Sequence, residues 1–565
     1  MSGWTLHGWR TLPRVAVLFP EEGAPGWADA AFWWAQLEAW GIPADLLPIG
    51  AQAEGPLEGC TSIVAPAAAL VPASAATLAR LHERGTSLLL VGQPGAAAAG
   101  LLGLVHGEGR AAERLRFDEP ALLDRVSGCL PAPDADGVVR LDAQVANFDL
   151  PSGWRTHARW VAATGVDGPA AIGVRHGAGD EASMVWFGVP AEALDWRATE
   201  TVVAAAEAAL EAAAPAGLVG IWRWPNAKAA ALVVDGDVDH PTGVDPECSR
   251  YVAPALETAR RARFAAYGIF AAAANVEHEP ASFPPASGYY NHSFGHPYSY
   301  WDPRPWEALD EAEMEDEIRR SNETFVRRLG RDDEGIFRLP HFQYEGSERT
   351  FAVLDRLGYR AESSIGANHA ITAGLPFHQA VDPWSEREAD AAYARTHPER
   401  RRAFLQLPIS TDPTDPAFVN GCCSYNVLGE TVRDRSADPA AYEAVLNEVV
   451  ERCVARRGLA HLFVDPPDAG YGRLEGDRAD YAGAVERWLA RCVAREDLAI
   501  LTTADLATWW LERESALGRL ACEITDGGLF ARLDDAPAGA TLAVLGPHSA
   551  GTEPVTWQLI GSEPT

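Results

Sequence analysis

Short apolar runs alternate with amphipathic segments through the first part of the chain, residues 1–215. RVAVLF, CTSIVAP and SLLLVG have the length of buried strands. SAATLARLHERG repeats apolar residues with helical spacing, and Ser74 is placed to cap its start. Further along, AAIGVRHGAGDEASMVWFGVP predicts a hairpin and TETVVAAAEAALEAAA a closing helix. Alternating strands and helices are typical of an open, mostly parallel sheet, so we predict an α/β domain here.

A second alternating series runs through residues 216–515. The predicted strands are AALVVDGD, AAYGIFA, GIFRLP, YRAESS, AFLQLPI, LAHLFVD and LAILTT. The predicted helices cover roughly 249–263, 305–329, 347–357, 439–457 and 480–496. About seven strand–helix units of this kind fit one α/β barrel, complete or distorted. Residues 516–565 instead carry hairpin signals such as CEITDGGLFARL, which predict a β-rich C-terminal extension.

The stretch ALVVDGDVDH, residues 231–240, places carboxylates directly behind an apolar strand. A carboxylate buried there without a partner would cost several kcal/mol, so a cation is the simplest compensation for Asp237 and Asp239. Catalytic residues of α/β barrels lie at such strand ends. Asp235 shares the strand face of the other two, and whether it takes part directly stays open. His240 either lines the site or caps the next helix.

Two further segments carry candidate chemistry. His292 and His296 are four residues apart, so in a helical turn both imidazoles can reach one metal ion. Their surroundings, YYNHSFGHPYSYWDP, are rich in aromatic residues, which favour flat polar ligands such as sugar rings. In FRLPHF an apolar strand ends at Arg338, whose guanidinium would pair with facing carboxylates. The acidic run over residues 307–320 predicts only a solvated helix face.

Composition limits the partners and the cellular location that we expect for the chain. The formal net charge of −32 argues against nucleic acid or an anionic membrane as the main partner. No uncharged apolar run reaches the length of a membrane span. The N-terminal segment lacks the features of a signal peptide. The eight cysteines contain no C-x-x-C pair, so we predict reduced thiols and a cytoplasmic protein.

Three motifs follow one another in a specific order: Asp237-x-Asp239, His292-Ser-x-x-His296 and Arg338-x-Pro340. This ordered set resembles the polysaccharide deacetylase family, also called NodB-homology or carbohydrate esterase family four, over about residues 220–515. The first domain resembles the flavodoxin-like domain of class I glutamine amidotransferases. Its turn VGQPG holds Gln93 where that family needs a nucleophilic cysteine, so we predict no catalysis there.

The resemblance implies an architecture: a flavodoxin-like α/β domain over 1–215, a distorted (β/α)7 deacetylase-type barrel over 216–515, and the β-rich extension over 516–565. It also implies a metal held by Asp239, His292 and His296. Zinc is the first expectation, with cobalt or another divalent ion as alternatives. Such an ion lowers the pKa of bound water towards about 7 and polarises a carbonyl.

The same resemblance assigns further roles. Asp237 is the general base, and Arg338 holds it in place and keeps it ionised. The backbone N–H of His341 contributes to an oxyanion site. The resemblance also gives Asp382 as a carboxylate on the arginine and Trp384 as an aromatic wall. With Tyr298 and Trp301 of the aromatic-rich segment, these are the residues that we expect to bind the substrate.

One position departs from the family. Where the family has a histidine that protonates the leaving amine, the strand LAHLFVDPP ends in Asp465. His461 lies four residues earlier, and we expect it to point elsewhere. The acid is therefore either Asp465 with a raised pKa or another group such as His341.

These inferences predict a metal-dependent deacetylase, a hydrolase of non-peptide C–N bonds, acting on an N-acylated sugar or polysaccharide. Two alternatives stay open. One alternative is hydrolysis of non-sugar amides on the same barrel, which the absence of a signal peptide and the aspartate at position 465 both allow. The other alternative is a catalytically weakened module that binds a glycan or metabolite.

Overall fold

A computed structural model provides the structure of the chain. The residues described are 2–6, 12–21, 23–49, 55–106, 110–129, 132–145, 148–162, 164–165, 167–177, 182–191, 199–215, 217–239, 248–297, 304–340, 348–367, 370, 372–380, 401–410, 439–466, 481–526, 528–546 and 556–560. They divide into two compact units. The first contains residues 1–227 and 511–565, and the second contains residues 228–389 and 397–510.

The first unit is built on a nine-stranded sheet. Strands before residue 222 are β1 (Ser2–Leu6), β2 (Val15–Phe19), β3 (Ala44–Pro48), β4 (Ser62–Pro66), β5 (Ser87–Val91), β6 (Val105–His106), β7 (Arg110–Phe117), β8 (Val138–Val145), β9 (Phe148–Asp149), β10 (Arg155–Val161), β11 (Asp167–His176), β12 (Ser183–Phe187) and β13 (Leu218–Ile221). The helices are α1 (Trp27–Ala39), α2 (Pro72–Glu83), α3 (Ala96–Leu102), α4 (Pro120–Val126) and α5 (Thr199–Ala212).

The nine strands follow the order β3-β2-β4-β5-β12-β11-β10-β7-β8. The pairings from β3 to β12 are parallel, and those from β12 to β8 are antiparallel. The strands predicted for this part of the chain and the hairpin β11–β12 are therefore confirmed. The sequence pattern did not predict β3 or the outer antiparallel strands. The predicted cap was wrong: α2 begins at Pro72, whose fixed φ suits a first helical turn, and Ser74 bonds to Val71 from within the helix.

The second unit contains a sheet of mainly parallel strands. Its strands are β14 (Ala230–Val238), β15 (Tyr267–Ala271), β16 (Gly288–Asn291), β17 (Ile336–Phe337), β18 (Ala361–Glu362), β19 (Phe377–Ala380), β20 (Arg401–Gln406), β21 (Leu459–Phe463) and β22 (Leu498–Ile500). The helices that follow in the chain are α6 (Val252–Arg261), α7 (Ala273–His278), α8 (Glu311–Leu329), α9 (Glu348–Leu357), α10 (Pro439–Ala455), α11 (Tyr481–Val493) and α12 (Thr503–Leu517).

This sheet has the order β19-β20-β18-β17-β16-β15-β14-β21, and β22 also pairs with β14. All pairings from β20 to β21 are parallel. The segment after β20 meets β21, because the N–H of Ser410 donates to the carbonyl of His461 and the N–H of His461 donates to the hydroxyl of Ser410, both at 2.9 Å. The sheet is thus curved into a half-barrel, and the strands β14, β16, β17 and β21 end on the same side.

The helix predicted over 305–329 begins later, at Glu311. Asp310 accepts the N–H of Glu313 at 2.9 Å, and the Glu313 side chain accepts the N–H of Asp310 at 3.0 Å. This reciprocal capping box satisfies two backbone donors and fixes where the helix starts. Among the described helices, none combines the length and the apolar character needed to cross a bilayer.

The C-terminal part is rich in strands, namely β23 (Leu520–Thr525), β24 (Gly528–Leu533), β25 (Leu542–Gly546) and β26 (Thr556–Ile560). β24 pairs with β23 and with β1, and β25 pairs with β26 and with β13. These residues thereby complete two small sheets of the first unit. The three domain ranges drawn from the sequence stay a prediction.

Candidate metal centre

The aspartates of β14 point into the half-barrel as the strand alternation requires. Asp235 is fully buried, Asp237 is 8% exposed, and Asp239 follows the strand and is partly exposed. Gly236 lies between the first two, where an added Cβ would approach the Val464 carbonyl of the β21 segment to 2.3 Å. The glycine therefore permits the close approach of the two backbones that carries these carboxylates into the interior.

The two histidines meet Asp239 through a tight loop rather than the helical turn expected from their spacing. The loop follows β16, and both Ser293 and His296 have left-handed φ values, 65° and 51°. Oδ1 of Asp239 lies 3.4 Å from Nε2 of His292 and 3.3 Å from Nε2 of His296. Both histidines are buried. Three ligating side chains from two separate segments thus converge.

The arrangement fits a divalent cation. Nδ1 of His292 lies 3.0 Å from the Arg338 carbonyl, which can only accept, so Nδ1 carries the proton and Nε2 presents a lone pair. That Nε2 has no hydrogen-bond partner among the described residues. In a tetrahedral site with metal–ligand distances near 2.0–2.1 Å, ligand atoms lie about 3.3 Å apart, close to the spacing seen here.

The chemistry of the three side chains agrees with this interpretation. One carboxylate with two neutral imidazoles is a donor set that zinc commonly takes. Among the described residues, this trio is the group of histidine, cysteine or acidic side chains whose ligating atoms all lie within 4.8 Å of one another.

Arg338 connects the carboxylates beside this trio. It follows β17 and is fully buried. Its Nη1 donates to Asp237 at 2.8 Å and its Nη2 to Asp235 at 2.9 Å. Nε donates to the Ser363 carbonyl at 2.7 Å, and the guanidinium stacks 3.9 Å from the centre of the Phe270 ring. The guanidinium is therefore fixed on several sides, as a residue that orients Asp237 must be.

The two carboxylates on Arg338 differ in pKa. Burial, reinforced by the nearby charge of Asp239, raises the pKa of Asp237 to about 7. Arg338 opposes this rise, as expected from the sequence, but burial outweighs it. Burial also disfavours the ionised form of Asp235, yet Arg338 and His461 hold the pKa of Asp235 at about 2. Asp235 is thus the permanent counter-charge of Arg338.

His461 does not point elsewhere, so that expectation was wrong. Its Nε2 lies 2.7 Å from Oδ2 of Asp235. Positions four apart on a strand share a face, and His461 therefore lies on the same face as Asp465 but deeper. Thr503, at the start of α12, donates to the same Asp235 oxygen at 3.0 Å. Asp235, whose role was left open, is therefore the centre of a buried network beneath the site.

Asp465 is placed at the site, as predicted for the end of that strand. It is 4% exposed, and its Oδ1 accepts the backbone N–H of Asp237 at 3.0 Å. Asp465 therefore lies in hydrogen-bond contact with the strand that carries the predicted base.

Several predicted residues lie outside the described part of the chain. They are His240, Tyr298, Trp301, His341, Asp382 and Trp384. The oxyanion contact predicted for the backbone N–H of His341 and the substrate contacts predicted for the other side chains stay predictions. Asp237, Asp239, His292, His296, Arg338 and Asp465 are brought together, and their catalytic roles also stay predictions.

Sequence reasoning missed Glu317, which belongs to the acidic run assigned to solvent. Glu317 lies on α8, and its Oε2 accepts the N–H of Gly295 in the histidine loop at 2.6 Å. Burial raises the pKa of Glu317. Helical periodicity could have indicated that Glu317 faces the interior. Met314, Ile318 and Ser321 are buried, and position 317 lies on the same face of the helix.

Comparisons with known proteins agree with this fold only weakly. No protein-family profile and no curated protein matches the chain. Among solved structures, a Mycobacterium smegmatis protein described as a polysaccharide deacetylase is 14% identical, with a TM-score of 0.35, over 50% of this chain and 91% of its own. A family 4 acetyl xylan esterase from Clostridium thermocellum, in complex with a cobalt ion, is 13% identical, with a TM-score of 0.17, over 41% and 98%.

A glutamine amidotransferase from Thermotoga maritima is 15% identical, with a TM-score of 0.23, over 36% of this chain and 85% of its own. All three likenesses are partial and of low TM-score. They suggest a resemblance at the level of the fold and leave the activity of this chain untested.

Proposed function

We propose that the chain is a divalent-metal-dependent hydrolase that removes an acyl group from an N-acylated sugar or glycan. The observation that carries the proposal is the convergence of Asp239, His292 and His296, with Asp237 of β14 beside them. The second unit is then a distorted deacetylase-type barrel. The donor set favours zinc, with cobalt as the alternative.

A divalent cation in this site would supply a Lewis acid that makes water more acidic and polarises an acyl carbonyl. The protein side chains do the remaining work. Asp237 accepts the proton of the attacking water as general base. Arg338 holds one oxygen of Asp237, which leaves the other, 3.6 Å from Nε2 of His292, directed towards the metal ligands.

The proton for the leaving amine comes from Asp465 or from His341. Asp465 lies against Asp237, because its carboxylate accepts the backbone N–H of that residue at 3.0 Å. His341 follows the Arg338-Leu339-Pro340 motif and lies outside the described residues. Replacing each in turn separates them, because only loss of the true acid slows release of the amine while leaving metal affinity unchanged.

The test is acetate release from N-acetylglucosamine and its oligomers by the full chain. We expect turnover with zinc or cobalt, loss of turnover after treatment with a chelator, and recovery when metal is restored. Turnover that is indifferent to the chelator would contradict the proposal. Zinc binding without hydrolysis of any acyl substrate would point to a binding module, and hydrolysis of non-sugar amides alone would point to the alternative hydrolase.

A further inference from the structure

The loop that carries both histidines is held by groups that the proposed chemistry does not use. Ser293 and His296 both adopt left-handed φ values, which residues other than glycine adopt rarely. A backbone of this kind persists only where the surrounding contacts over-determine it. The groups that bond to the loop therefore decide where the two imidazoles lie.

Glu317 of α8 makes one of these contacts. Its Oε2 accepts the N–H of Gly295 at 2.6 Å. A backbone donor bound to a carboxylate forms a charge-assisted clamp on Gly295, the residue that directly precedes His296. Arg320, three residues further along α8, lies 3.9 Å from the centre of the Phe294 ring and supports the same segment.

The start of the loop is anchored to the same turn of α8. Oδ1 of Asn291 accepts the N–H of Ser293 at 2.9 Å, and its amide nitrogen donates to the carbonyl of Ile318 at 2.9 Å. Adjacent residues of α8, Glu317 and Ile318, thus hold the two halves of the loop. The position of α8 therefore helps to determine where both histidines lie.

We infer that Glu317 is a positioning residue for the metal centre and acts through Gly295 on the imidazole of His296. The inference rests on the proposed metal site of Asp239, His292 and His296. Without the clamp, His296 is no longer held 3.3 Å from Asp239, although every ligand is still present. The affinity for a divalent cation then falls, and the geometry of the bound ion changes.

The test compares zinc affinity and the visible absorption of bound cobalt between the parent and Glu317→Ala, using the full chain. We expect the zinc Kd to rise about 10- to 100-fold, the range for partners that orient metal ligands. The cobalt spectrum changes shape, which a general loss of stability would not cause. Glu317→Gln keeps one acceptor and gives an intermediate Kd, and it carries the test if the alanine variant does not fold.

A control variant isolates the clamp. Glu323→Ala removes an exposed acid of the same helix, so the zinc Kd and the cobalt spectrum should match the parent.

The inference is overturned if both Glu317 variants keep the parental zinc affinity and cobalt spectrum while His296→Ala loses zinc. That result would leave the proposed metal site standing. If the parent and His296→Ala bind zinc alike, the proposed metal site itself is wrong, and the inference falls with it.

Discussion

The two large sheets end their parallel strands in chemically opposite ways. In the first unit, the residues directly after β2, β4 and β5 are Pro20, Ala67 and Gly92. In the second unit, the strand ends carry Asp239, His292, Arg338 and Asp465, brought into one cluster. A shared architecture of parallel strands therefore does not decide function, which depends on the side chains placed at the strand ends.

Two fully buried arginines repeat this contrast. Arg513 of the first unit donates to the carbonyls of Ala39 and Trp222, at 3.0 and 3.2 Å, next to the end of α1, and burial lowers its pKa to about 9. For Arg338, burial acts in the same direction, but the carboxylates of Asp235 and Asp237 outweigh it and raise the pKa. Arg513 thus binds backbone carbonyls near a helix end, whereas Arg338 organises carboxylates beside a candidate metal.

The largest effect is expected from His292→Ala. Removing a direct ligand should weaken zinc binding by more than the roughly 100-fold that an orienting partner contributes, and activity should be lost with the metal. Zinc titration of the purified variant checks this. His378→Ala is the matched control, because His378 is also buried in the second unit but hydrogen-bonds to backbone carbonyls of β20, so its zinc affinity should stay parental.

Asp237→Asn should lower kcat about 10²- to 10⁴-fold, because an amide cannot accept the proton of the attacking water. Zinc affinity should stay close to that of the parent, since Asp237 is not among the three ligands. Steady-state rates of acetate release, paired with zinc titration, measure both quantities. A variant with near-parental kcat would remove Asp237 from the role of base.

Asp235→Asn should destabilise the second unit by about 3–5 kcal/mol. It leaves the buried Arg338 without its permanent counter-charge, and breaking a buried ion pair costs about that much. Urea unfolding monitored by circular dichroism gives the value. The exposed pair Arg319–Asp316 provides the comparison, because Asp316→Asn should change stability by less than about 1 kcal/mol.

The contribution of Asp235 to the stability of the fold should also depend on pH. Its pKa is about 2 in the folded chain and about 3.9 when unfolded, so the ionised form stabilises the fold above pH 4. That stabilisation, about 2–3 kcal/mol, is lost as the pH falls from 4 towards 2. Urea midpoints of the parent should therefore drop towards those of Asp235→Asn across this range. A difference in urea midpoint between the parent and Asp235→Asn that stays constant across this pH range would contradict the assigned pKa of Asp235.

The smallest effect is expected in the first unit. Gln93 occupies the turn after β5, and its side chain donates to the Gly188 carbonyl at 2.5 Å. Gln93→Ala should leave kcat/KM for acetate release unchanged, because that turn carries no chemistry in this account. A large fall in turnover without loss of stability would assign the first unit a direct part in the reaction.

The sequence allowed the ligand trio and Arg338 to be predicted because strand ends and short motifs are local signals. The network below them was harder to predict. His461 and Thr503 reach Asp235 across 226 and 268 residues of chain, which no local pattern records. The loop conformation was also mispredicted, since a spacing of four residues fits a helical turn and a left-handed loop equally well. Only the contacts of α8 decide between them.

The central claim is that Asp239, His292 and His296 bind one metal ion, and X-ray absorption at the zinc edge tests it most directly. The account predicts one equivalent of zinc with nitrogen and oxygen ligands at about 2.0–2.2 Å, including the multiple scattering of two imidazoles. The imidazole signal should fall by one ring in His296→Ala. Zinc bound through sulfur, or an identical spectrum in that variant, would contradict the account.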